Sequence, residues 1–172
     1  MHWLGLLCAA TSGALAQVPP AAATAEYALK AAFIYNFALF TSWDERADKT
    51  IHLCVLGRDP FGTALDQLEG KPVGAARLAT HRMRNPTEAA HNCQIVFVTY
   101  AEVENFLARP GAAQDGIGVL TITDRDGAAR MGIMIELTTE DRKIGFEFNQ
   151  EAARVNHLQV SSKLLRIARK VY

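Results

Sequence analysis

The stretch "LCVLGRDPFG", residues 53–62, decides how the rest of the chain is read. Four apolar residues run without alternation into a glycine, and an Asp-Pro pair follows. An apolar run of this length, with no polar face, is the mark of a strand covered on both sides in a parallel sheet. Asp59 and Pro60 supply a helix N-cap and a first helical position, so the stretch reads as strand, turn and the start of a helix over 61–70. Gly57, Arg58 and Asp59 then lie in the turn at the carboxyl end of a strand. Ligands of open α/β sheets gather at that end, and these three residues are the candidate ligand crevice.

Working outward, the pattern repeats. "TIHLCVLG" (50–57), "ARLATHRM" (76–83), "CQIVFVTY" (93–100) and "GIGVLTITD" (116–124) read as strands. "NPTEAAHN" (85–92) and "AEVENFLARPG" (101–111) read as the helices between them. Alternation of strand and helix predicts a mainly parallel sheet with helices on both faces. Upstream, "AEYALKAAFIYNFALFTSW" (25–43) is helical, with Leu29, Phe33, Phe37 and Phe40 on one face at a 3.6-residue period. An aromatic stripe at this spacing is most often a core helix; the alternative is that its aromatics exceed what one sheet needs and leave some for a partner or dimer surface. Downstream the rhythm changes. "MGIMIEL" and "KIGFEF" alternate apolar residues around a polar "TTEDR", the pattern of an antiparallel hairpin. Asn149 caps a short helix "QEAARVNHL", and Ser161 or Ser162 caps a final one, "SKLLRIARKVY", whose buried face is Leu164, Leu165, Ala168 and Val171. The expected fold is an α/β three-layer sandwich: a mainly parallel sheet, a C-terminal antiparallel hairpin, and helices on both faces.

At 172 residues the chain is one domain's worth of sequence, and its formal net charge is zero. Nucleic-acid binding draws on a basic excess that is absent here. The first residues, "WLGLLCAATSGALAQ", form a short apolar run ending in Ala14-Leu15-Ala16, a small-x-small cleavage pattern, although no Lys or Arg precedes Lys30. The expectation is a signal peptide over 1–16, a tether over 17–25 and a folded domain over 26–172. Cleavage would discard Cys8 and leave Cys54 and Cys93 of the three cysteines. Two cysteines in an exported chain favour a disulfide. In a sheet whose first three strands take the order 2-1-3, the strands holding Cys54 and Cys93 are neighbours, which brings the sulfurs together.

The catalytic alternatives are weak. Cys54 is mid-strand, away from the edge where chemistry occurs, and the turn carries no nucleotide-binding glycine signature. His52, His81, His91 and His157 show no metal-ligand spacing, so neither a metal nor another cofactor is expected. Glu147 and Asn149 share the face opposite Phe146 and Phe148, where a binding role is commoner than catalysis. "TDRDG" (123–127) reads as a solvated loop.

Six segments together, "KAAFIYNFALFTSW", "LCVLGRDPFGTAL", "CQIVFV", "GVLTITD", "KIGFEFNQEAA" and "VSSKLLRIAR", resemble the YfiR family of small exported bacterial proteins. "RMGIMI" and "NHLQVSSK" depart from its usual glycines. The resemblance implies a non-enzymatic periplasmic repressor. It would bind the periplasmic domain of an inner-membrane diguanylate cyclase, lower cyclic-di-GMP, be sequestered by an outer-membrane lipoprotein, and form a homodimer. On this reading Phe146, Glu147 and Asn149, with Ser161, Ser162 and Lys163, present the partner-binding patch. The alternative is a periplasmic small-molecule module, using the crevice at Gly57, Arg58 and Asp59 and feeding a membrane receptor or kinase.

Overall fold

The structure, a computed structural model, describes residues 20–43, 49–109 and 118–172. The expected signal peptide, with Cys8, lies outside the described residues. In chain order the elements are α1 (Pro20–Phe40), β1 (Thr41–Ser42), β2 (Thr50–Leu56), α2 (Thr63–Asp66), β3 (Pro72–Val73) and β4 (Ala76–Met83). Next come α3 (Pro86–Asn92), β5 (Ile95–Val98), a 3-10 turn (Tyr100–Glu102), α4 (Val103–Leu107), β6 (Leu120–Thr123) and α5 (Ala128–Met131). The chain closes with β7 (Ile135–Glu140), β8 (Lys143–Phe148), α6 (Gln150–Val155), β9 (Gln159–Val160), α7 (Ser162–Leu165) and β10 (Lys170–Val171).

Eight strands form one sheet in the order β10-β8-β7-β6-β5-β2-β4-β3, and β1 pairs with β9 apart from it. The run β7-β6-β5-β2-β4 is parallel, while β7 and β8 pair antiparallel. Alternate side chains divide between two apolar clusters, one on each face. Leu53, Val55, Ile95, Phe97, Leu120 and Ile122 pack under α1, α2, α6 and α7. Cys54, Leu56, Val96 and Val98 pack with Ala89, Ala90, Val103, Phe106 and Ala128 of α3, α4 and α5. Both faces of the central strands are therefore dry, which is why their sequences carry no polar alternation.

Several expected elements differ. Residues 20–25, read as tether, are the start of α1. The buried face of α1 is Lys30, Ala31, Ile34, Phe37 and Ala38, and Leu29 and Phe40 are exposed. The small Ala31 and Ala38 let the helix sit close to the sheet, with the Phe37 ring 5.0 Å from that of Phe146. The helix stops at Phe40, and "TSW" instead supplies β1 and an indole bonded to the Ala38 carbonyl. The helix expected over 61–70 is the single turn α2, which begins after Gly62 at φ +54°. Of "TTEDR", Thr138 to Glu140 continue β7, and the hairpin turns on Asp141 and Arg142, both at positive φ as a two-residue primed turn requires. The expected final helix is also a single turn, α7. Its remainder runs out as β10, parallel to β8 with Lys170 opposite Glu147, and leaves Val171 exposed. Asn149 caps α6 through Ala152 N–H, and Ser161 caps α7 through Lys163 N–H.

Candidate functional site

Cys54 lies in the middle of β2 and Cys93 at the end of α3, two residues before β5. Because β4, β2 and β5 are adjacent in that order, the two sulfurs meet and are joined as a disulfide, with their Cα atoms 6.1 Å apart. Both residues are buried, and neither sulfur is a free nucleophile.

From β2 the chain crosses first to β4 on one side and then to β5 on the other. The reversal opens a crevice at the carboxyl ends of β2 and β5, the switch point at which open α/β sheets bind ligands. The crevice encloses about 330 Å³, walled by Arg58 and Pro60 on one side, Phe97, Thr99, Tyr100 and Glu102 on another, and Tyr27 and Asp124 across it. The three predicted crevice residues separate in role. Arg58 lines the space. Gly57 shapes the turn, with its N–H on the Met83 carbonyl at 2.9 Å. Asp59 is turned away: Oδ1 accepts from Phe61 N–H and Oδ2 pairs with Arg82 at 2.7 Å, so it is neither a helix cap nor a ligand group.

Gly57 has φ +100°, and a Cβ there would lie 2.2 Å from Thr99 Oγ1. That oxygen donates its proton to the Leu56 carbonyl and so ties β2 to the chain leaving β5. Gly57→Ala is expected to cost about 2 kcal/mol, adding a disfavoured backbone region to a displaced threonine. In a chain of this size that is a fall in melting temperature of roughly 4–8 °C.

The far wall holds what sequence reading missed. Lys30, 4% exposed, reaches Glu26 at 2.6 Å and Asp124 at 2.7 Å, and the Tyr27 hydroxyl donates to the same Asp124 oxygen. Burial, and next the Asp124 charge, push the Tyr27 hydroxyl well above the ordinary phenol range. Asp124 of "TDRDG" is thus a wall of the crevice, while Thr123 is buried with its hydroxyl on the Val98 carbonyl and Asp126 is exposed as a solvated loop requires. Gly127 N–H donates to the buried Glu136.

The expected partner patch does not assemble as one surface. Phe146 is 1% exposed in the core against Phe37, where it can meet no partner. Asn149 spends its side chain inward, donating to the Ala129 carbonyl and accepting from Ala152 N–H. Glu147 accepts from the Tyr172 hydroxyl, which in turn accepts from Arg130. Ser161 is a cap, and Ser162 and Lys163 alone of the six are openly exposed.

The family model described as YfiR/HmsC-like matches residues 27–169. The chain belongs to the YfiR/HmsC-like family. That family is one of non-catalytic regulators in diguanylate cyclase signalling, and it is periplasmic. No curated protein sequence matches the chain. Among solved structures, the chain is similar to the crystal structure of a conserved domain protein from Vibrio cholerae O1 biovar El Tor strain N16961. The TM-score is 0.54 at 9% identity, covering 85% of this chain and 60% of that one, a likeness of fold alone. Among the described residues no helix is long and apolar enough to cross a membrane.

Proposed function

We propose that this YfiR/HmsC-like chain is an exported, non-enzymatic regulator that binds the periplasmic domain of an inner-membrane diguanylate cyclase and represses it, lowering cyclic-di-GMP. The family match over residues 27–169 carries the reading. The disulfide supports it, since such bonds persist in oxidising compartments. In this reading the leader over 1–16 directs export, a homodimer is the working unit, and an outer-membrane lipoprotein competes for the repressor. Repression is a population shift: contacts made only to the inactive conformation of the cyclase favour that conformation.

The binding surface is relocated from the buried Phe146 to the exposed residues where α1 and α7 meet. Ser161 N–H bonds the Phe40 carbonyl there, and Phe40, Ser162, Lys163 and Ile167 are exposed, Ile167 by 67%. Exposed apolar residues beside a cation suit a partner surface with an acidic rim. A tagged mature chain is expected to capture the cyclase from membranes. Ile167→Glu and Lys163→Glu are expected to abolish capture and raise cyclic-di-GMP while leaving the melting temperature within about 1 °C, because surface changes of this kind cost little stability. Capture that survives both changes would move the surface elsewhere, and failure of the parent chain to capture or repress a cyclase would sink the reading.

One observation favours a second reading, a small-molecule module feeding a membrane receptor or kinase: the crevice at the switch point, lined by Arg58, Tyr27 and Tyr100. In that case a crevice substitution such as Tyr100→Ala alters signalling and the α1–α7 substitutions do not.

A further inference from the structure

The far wall of the switch-point crevice carries a polar atom that the protein leaves unmatched. Lys30 and the Tyr27 hydroxyl both bond Oδ2 of Asp124, while Oδ1 accepts no hydrogen bond among the described residues. The Asp124 side chain is only 10% exposed, and the space it lines is the crevice. Buried polar groups are ordinarily satisfied, and a carboxylate can accept through both oxygens. An open acceptor on a carboxylate this buried points to a ligand that brings a hydrogen-bond donor.

Two other walls say what else that ligand carries. Tyr100 is 65% exposed, yet its ring is held: Arg125 Cζ lies over it at 5.0 Å from the centroid, and Glu104 fixes Arg125 at 2.6 Å. A bare, fixed aromatic ring beside a crevice is a platform for the apolar face of a ring-shaped ligand. Arg58 lines the same space, is exposed, and has no hydrogen-bond or ion-pair partner among the described residues, so its donors are available. The floor is already formed. Tyr27 meets Phe61 edge-on at 5.3 Å, and Phe61 meets Phe97 in the same way at 4.7 Å.

On the reading of this crevice as a small-molecule site, we propose that its ligand is an uncharged sugar. One hydroxyl donates to Asp124 Oδ1, another accepts from Arg58, and the C–H face of the ring lies on Tyr100. Hydroxyls suit the site because each can donate and accept. Charge decides against the alternatives. Lys30 neutralises Asp124, and Arg58 and Glu102 bring one charge of each sign, so the lining favours neither a net anion nor a net cation. A free amino acid also meets both polar groups, but its ammonium would bring a second cation to a carboxylate that Lys30 already holds at 2.7 Å. The volume of about 330 Å³ lies at the small end of ligand sites, roughly 300–1,000 Å³, and suits a mono- or disaccharide.

The test is an NMR titration of the chain with D-glucose, D-galactose, N-acetyl-D-glucosamine and maltose, with L-phenylalanine and benzoate as probes of the other classes. At least one sugar is expected to bind in the millimolar range, as a ligand of this size allows, and to shift the amides of Gly57, Arg58, Tyr100 and Asp124. Tyr100→Ala should weaken it about tenfold or more, whereas Tyr100→Phe, which keeps the ring, should stay within about twofold. Arg58→Gln should weaken it about tenfold, as should removal of one particular hydroxyl among the deoxy analogues of that sugar. Arg58 and Tyr100 are exposed, so these variants keep the core, and thermal melts check that each is folded. If L-phenylalanine or benzoate shifts these amides and no sugar does, the sugar class is overturned and the small-molecule reading stands. If no probe shifts them, both fall. Sugar binding that is unchanged in folded Tyr100→Ala also overturns the proposal.

Discussion

Replacing Cys54 and Cys93 together by alanine is expected to lower the unfolding free energy by about 4 kcal/mol. The residues are 39 apart in sequence, and the estimate is the loop-closure entropy that the bond removes from the unfolded chain. Alanine is the informative replacement, because both positions are buried among Leu56, Ala89, Ala90 and Val96. Serine would add the separate cost of a buried hydroxyl there. For a domain of this size the change corresponds to a drop of roughly 8–16 °C in melting temperature. Reduction of the parent chain should reproduce most of that drop, and the same reductant should leave the double variant unmoved. A double variant that melts with the parent would show that the bond only decorates packing that is stable without it. If the drop is found, fold integrity depends on the redox state of the compartment, and repression in the proposed function should weaken in reducing medium near the melting point of the reduced chain.

How far the sequence reached, and where it stopped, follows from what each residue answers to. Leu53 to Leu56 announce a buried parallel strand, because burial on both faces removes the polar alternation, and the structure places them in two clusters. Asn149 and Ser161 are legible as caps since each bonds a backbone N–H within three residues. The disulfide was reached by combining strand order with a count of cysteines. What escaped depends on distant partners. Lys30 reads as a solvent-facing charge on a helix until Asp124, 94 residues away, is placed beside it. "RIARKVY" favours a helix locally, but the open edge of β8 captures its end as a strand, tertiary pairing overriding propensity. Arg169 then lies across Gly145, where a Cβ would stand 2.0 Å from its Nε. For Phe146 the sequence does carry the signal: its alternation with Phe148 points it to the core, where both are buried. The nearness of His52 and His81 is a matter of register, which spacing in one chain does not reveal.

Lys30→Met is expected to destabilise the domain by about 3–5 kcal/mol, although it removes one charge and keeps most of the side-chain stem. The ammonium sits between Asp124 at 2.7 Å and Glu26 at 2.6 Å, and over the Tyr27 ring at 4.4 Å. The side chains of Lys30 and Asp124 are only 5% and 10% exposed, so water cannot replace the cation once it is gone. Asp124 would be left as a buried carboxylate with the Tyr27 hydroxyl as its remaining donor in this cluster. The gain from the pair itself is smaller than this loss, because bringing two charges out of water offsets much of their attraction. A double-mutant cycle separates the two quantities. Lys30→Met with Asp124→Asn should recover at least half of the loss, since the amide restores neutrality and can still accept from Tyr27. Urea unfolding of the four chains measures the coupling. Equal and additive losses would mean that packing, not charge, holds α1 to the end of β6. Coupling of the expected size would instead make Lys30 the residue that fixes Tyr27 against the switch-point crevice, so that the element carrying the exposed Phe40 and the wall of the crevice are one mechanical unit.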